Sequence, residues 1–205
     1  MRFPSSAVER VQPSEKSGVM TLFARWRAER DFQRKADRFV ELLLVEPDDE
    51  DVRWLASVAT HGDTDHARWE LRYARRALGL LTAERDALDD RTGSAVAHAL
   101  AVATARDTQV AAEMQEIAER QFNARLSAYR DALAARAGAA TGARLGQTLF
   151  AFAGGSFRQV DEHIVRGGEL LARYLTGANT ALRDTFGKAS LPDNIPPSAL
   201  AGKPG

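Results

Sequence analysis

The segment Thr60-His61-Gly62-Asp63-Thr64-Asp65-His66 gathers, within a few residues, side chains that could hold a metal. Imidazole nitrogens and carboxylate oxygens are ligands for zinc and similar divalent cations, and a cation so held could activate a water for hydrolysis. The same residues also have a plainer use. Gly62 can stop one helix and Thr64 or Asp65 can cap the next, which leaves His61 and His66 at exposed helix ends. Elsewhere the sequence offers little chemistry. It has no cysteine, so disulfides, thiolate zinc sites, iron–sulfur clusters and a cysteine nucleophile are excluded. Gly154-Gly155-Ser156-Phe157-Arg158 lacks the second glycine of a nucleophile elbow. Gly187-Lys188-Ala189-Ser190 lacks the upstream glycine and the adjacent hydroxyl residue of a phosphate loop. No Glu-x-x-His pair suits a di-iron bundle, since Glu162 and His163 are adjacent and point to different sides of a helix. His98, amid Ala97, Ala99 and Leu100, is either a haem or pigment ligand or a satisfied core or surface histidine.

The His61–His66 segment resembles the metal-binding loop of the metallo-β-lactamase superfamily, H-x-H-x-D-H, some members of which carry Asp in place of the second His, as this chain does at Asp63. The resemblance implies that His61 and Asp63 hold one metal and Asp65 and His66 a second, with a bridging water as nucleophile. It covers seven residues. The family's loop follows a hydrophobic β-strand, whereas Trp54-Leu55-Ala56-Ser57-Val58-Ala59 supplies one strand's worth of residues at best. No sheet is predicted to bring in later ligands, and His98 and His163, the remaining histidines, fall in helical segments.

The surrounding elements are predicted to be helical throughout. Val and Ile are sparse, alternation is absent, and Ala, Leu, Arg and Glu dominate. A first helix is expected over 19–46, with Leu22, Trp26, Ala36, Phe39, Val40 and Leu43 inward and Pro47 closing it. The acidic run 48–51 then suits the first turn of a short helix ending near Thr60. A third helix starts near Asp65 and carries the coiled-coil-like seam Leu71, Ala74, Leu78, Leu81, Arg85 and Leu88. Gly93 is expected to end it and Ser94 to cap a fourth helix running to Arg136, whose apolar face includes Met114, Ile117, Phe122 and Leu126. Such a helix would reach about 60 Å, so an elongated bundle is expected. Gly138, Gly142 and Gly146, spaced by four, suit a close helix crossing. A last helix is expected from a capping pair, Ser156 and Gln159, through Gly167-Gly168, where packing is close or the helix kinks, to a stop at Gly187.

The expected architecture is therefore all-α: an elongated bundle of about five helices over 19–187. A flexible arm over 1–18 precedes it, and a Pro-rich extended tail over 188–205 follows, holding four of the seven prolines. The 28 basic and 28 acidic side chains cancel, so no general field draws nucleic acid; the basic cluster Arg25 to Arg38 is interleaved with acids and reads as a solvated face. No stretch is long and apolar enough to span a membrane, peripheral membrane contact is left open, and the N-terminus lacks a secretory h-region, so a cytoplasmic location is expected. Contact surface outweighs reactive groups. The leading expectation is a non-catalytic structural protein, with no cofactor, that acts by self-assembly or as a subunit of a larger complex. Its candidate interfaces are Leu71, Leu78, Leu81, Leu88, Gly138, Gly142, Gly146, Leu191 and Ile195. The alternative is a metal-dependent hydrolase or small-molecule-binding bundle that uses His61, Asp63, Asp65 and His66 with a divalent metal.

Overall fold

A computed structural model describes residues 15–87, 89–134, 140–155 and 162–187. Among these residues the fold is all-α, with no strand. The helices are α1 (Glu15–Leu43), α2 (Asp49–Val58), α3 (Thr64–Asp86), α4 (Asp90–Ala105), α5 (Gln115–Ala134), α6 (Ala140–Phe152) and α7 (Glu162–Phe186), and a single 3-10 turn, Ala112–Met114, precedes α5. No helix among the described residues is long and apolar enough to cross a membrane. The candidate interface residues Leu88, Gly138, Leu191 and Ile195, the Ser156–Gln159 pair, the first fourteen residues of the arm and the whole 188–205 tail lie outside the described residues.

Residues 1–34 and 35–205 form separate compact units. In the first, α1 begins at Glu15 rather than at the predicted Val19. Trp26, predicted to face inward, is 55% exposed, with the Arg30 guanidinium stacked 4.4 Å from its ring. The second unit is built around α3. Its residues 70–74 and 76–83 are buried almost without interruption, because α2, α4, α5 and α7 all pack on it. The predicted seam therefore understates this helix. Leu71, Ala74, Leu78 and Leu81 are buried, but so are Glu70, Arg72, Arg76 and Thr82 on its other faces. Arg72 is admitted by a forked ion pair to Glu46 at 2.8–2.9 Å, and Arg76 by a 3.1 Å bond to Asp107. A buried charge survives where a partner of opposite sign supplies hydrogen bonds. Arg85 of the seam lies on the exposed side, paired with Asp86.

The predicted long fourth helix is two helices. Asp89 caps α4, accepting from the Thr92 amide at 2.6 Å and the Thr92 hydroxyl at 2.9 Å, so the break after α3 falls upstream of Gly93 and Ser94, which lie inside α4. The chain leaves helix after Ala105. There Asp107 accepts from the Gln109 amide at 3.1 Å and meets Arg76, and both bonds favour a turn over a continuing helix. The ground for expecting elongation, one helix of some forty residues, is thereby removed.

At the other end α6 and α7 cross at glycine. A Cβ added at Gly146 would lie 2.1 Å from the Ile164 carbonyl oxygen, and one at Gly168 would lie 2.2 Å from the Gly142 carbonyl oxygen. Only hydrogen fits between these backbones. The Gly167-Gly168 pair thus serves close packing, and α7 runs on without a break until Gly187, at φ +92°, ends it.

Candidate functional site

The His/Asp segment is a helix-to-helix turn. The preceding helix ends at Leu43 rather than at Pro47, Asp48 caps α2 by accepting from the Glu50 amide at 2.7 Å, and the chain reverses through His61 (φ 55°) and Gly62 (φ 89°). Asp63, rather than Thr64 or Asp65, caps α3, accepting from the His66 amide at 2.9 Å. Its carboxylate is therefore turned onto the helix terminus, as the bonding potential of those first amides demands. His61, Asp63 and Asp65 are exposed, and His66 turns away from them toward Glu70, 3.4 Å from its carboxylate. Among the described residues no three His, Asp or Glu side chains converge to hold a metal. The four residues of the sequence alternative, His61, Asp63, Asp65 and His66, are thus not brought together in one cluster. His98 is exposed on α4, and His163 is half-buried on α7.

His66 does line a cleft, one turn further into the molecule. Glu70, almost fully buried on α3, takes a forked pair of bonds from Arg125 of α5, one of them Nε to Oε2 at 2.8 Å. Arg125 also donates to the Gln121 carbonyl at 3.0 Å, and its guanidinium lies 5.0 Å from the Tyr73 ring centre and 4.5 Å from that of Phe152. Burial works against the Arg125 charge, but the bonds and the charge of Glu70 outweigh it and hold its pKa above the usual value. Tyr73, 3.3 Å from the Gln121 side-chain oxygen, is pushed up chiefly by burial, with Arg125 opposing. These groups floor a cleft of about 460 Å³, walled by Trp69 on one side and by Val110, Met114 and Ile117 on the other. Its acid is already satisfied, its phenol is harder to ionise than usual, and no serine, cysteine or lysine lines it.

A second opening lies across the wall formed by Val110 and Ala118, residues common to both. Helices α4 and α5 each pack on α3 but make almost no contact with each other, which leaves a groove of about 600 Å³. Leu80 and Leu100 form its buried floor. One wall is the row Ala97, Ala101 and Ala105 of α4; the other is Ala118, Phe122 and Leu126 of α5. Each row repeats every four residues, so it lies along a single helix face. The rim is polar, with Gln115, Glu116, Glu119 and Asn123. Between Leu100 and Arg125 no residue is fully buried, and Met114 and Ile117, predicted to face inward, are 47% and 39% exposed.

The predicted interface residues that fall within the structure turn inward. Leu71, Leu78 and Leu81 belong to the core of this chain, Gly146 packs in the α6–α7 crossing, and Gly142 contributes its carbonyl to that crossing. The Glu70–Arg125 pair left no local sign in the sequence. The alanine row 97, 101, 105 did, as small residues at helical spacing in an Ala-rich stretch. Comparisons with family models, with curated proteins and with solved structures give no match.

Proposed function

We propose that this chain is a non-catalytic helical protein that acts by self-assembly, receiving the apolar face of another helix in the groove between α4 and α5. The observation that carries this reading is the pair of four-residue apolar rows, Ala97-Ala101-Ala105 and Ala118-Phe122-Leu126, facing each other across a gap that no element of the described chain fills. Its volume falls within the roughly 300–1,000 Å³ typical of binding pockets. Small residues on one wall and larger ones on the other suit a helix laid lengthwise, the mode in which amphipathic helices enter apolar grooves. Exposed apolar area of this kind on a protein surface marks interaction sites.

The absence of cysteine makes the test simple, because Ala101→Cys provides the one thiol in the chain. Molar mass from light scattering is followed over a concentration series, together with the alkylation rate of that thiol. The expected result is a defined multiple of 22.4 kDa, with the thiol shielded as the multiple forms. A monomer at every concentration, or an assembly in which the thiol reacts as fast as in the monomer, would defeat the reading.

A small-molecule-binding bundle is the second reading. It is favoured by the neighbouring polar cleft, which brings His66, Tyr73 and Arg125 next to the apolar groove through the thin Val110–Ala118 wall. Saturable binding of one aromatic dye per chain, abolished by Ala118→Arg, would support it. Failure to saturate would remove it.

A further inference from the structure

We propose that the helix entering the groove is the basic stretch of α1, residues 19–34, of a second copy of this chain. The inference rests on the assembly reading and names its occupant. Residues 25–31 are exposed along their whole run, although Trp26 is among them. An indole left 55% exposed on a regular helix is an anchor in search of a pocket, since aromatic residues with this exposure concentrate at interfaces. The sequence places Val19, Leu22, Phe23 and Trp26 at the i, i+3, i+4, i+7 spacing that such a docked helix uses.

Charge favours this occupant over an arbitrary apolar helix. Residues 25–35 carry five basic side chains and two acidic ones, and Arg30 lies against Trp26. The groove rim on α5 offers Glu116 and Glu119, with Glu116 in a long 3.6 Å contact to Arg120 at the surface. A basic helix with an apolar stripe therefore meets an apolar floor under an acidic edge, and opposed potentials of this kind fix register and speed encounter. If each copy lends α1 to the groove of the other, the contact is made twice about a twofold axis and closes as a dimer.

Two single-thiol chains test this directly. The Trp26→Cys chain and the Ala101→Cys chain, neither of which has another cysteine, are mixed under mild oxidation. The expected product is a mixed disulfide dimer that forms faster than the dimer of either chain alone. A second arm uses charge: Arg27→Glu with Arg30→Glu weakens the dimer at least tenfold, and mixing with a Glu116→Arg, Glu119→Arg chain restores association. All six substitutions lie at surface positions, and circular dichroism confirms that the helices persist. An assembly that forms with no preference for the mixed disulfide and ignores the charge reversals overturns the α1 assignment while leaving the assembly reading standing. A monomer in every arm overturns both.

Discussion

Removing one member of the Glu70–Arg125 pair strands the other's charge in the interior. Arg125→Leu or Glu70→Gln is expected to cost about 3–5 kcal/mol, measured by urea denaturation, whereas replacing both by apolar residues should recover most of that loss. Two titrations have definite signs. Asp86 is held below the ordinary carboxylate value first by its hydrogen bond from Arg85, with Asn179 of α7 adding a 2.7 Å bond, against a burial effect that acts the other way. Its contribution is present above about pH 4 and is lost as pH falls through the lower folded value, so Asn179→Ala should shift acid unfolding to higher pH. Tyr174 is pushed up to about 12 by burial, with Arg75 stacked 4.5 Å from its ring. The folded state therefore favours the neutral phenol, and stability present below about pH 10 is lost as pH rises toward the folded value. Tyr174→Phe should flatten that alkaline loss without abolishing it, because Tyr129 is raised in the same direction by burial. Such residues were illegible in the sequence for a physical reason. Arg72, Arg76 and Arg125 look like solvent residues, and the partners that let them be buried lie 26, 31 and 55 residues away.

Helix by helix, the glycines of the α6–α7 crossing give opposite expectations at neighbouring sites. Alanine is favoured over glycine in a helix by about 0.8–1 kcal/mol. At Gly142 and Gly177 an added Cβ meets nothing within 4 Å, so alanine there should stabilise by roughly that amount. At Gly146 it meets the Ile164 carbonyl at 2.1 Å, so the helices must part, and a loss of about 1–3 kcal/mol is expected. Thermal melting of the three single variants checks both signs. Helices were legible where apolar spacing or a terminator was strong. Gly187 ended its helix as expected, whereas α1 stops at Leu43, short of Pro47, and of the glycines spaced by four Gly146 sits at a close approach. The break at Asp107 was missed because Ala-rich sequence continues on either side of it, and the turn there depends on a buried arginine from another helix.

For the molecule as a whole, stability should be unevenly distributed. Residues 101–124 contain no fully buried side chain, and their identified anchors include the Arg76–Asp107 pair, a 2.9 Å bond from the Gln115 side chain to the Ala105 carbonyl, and partial packing by Phe122. Hydrogen exchange is expected to proceed there by local opening, well before the α3 amides exchange. Equal protection in both segments would contradict the picture of a loosely seated wall between the two clefts. The all-α class could be read from composition and periodicity. The clefts could not, because they arise from which helices fail to touch, and no single segment records that.

The burial of α3 on every side has a consequence for how the chain must be made. It is synthesised before α5 and α7, from which much of its cover comes, and α7 begins only at Glu162. Until α7 leaves the ribosome, a helix bearing Leu71, Leu78, Leu80 and Leu81 has no complete shelter. A nascent chain stalled before residue 162 should therefore expose a sticky apolar helix and depend on holding factors, whereas release after Gly187 should let it close on itself.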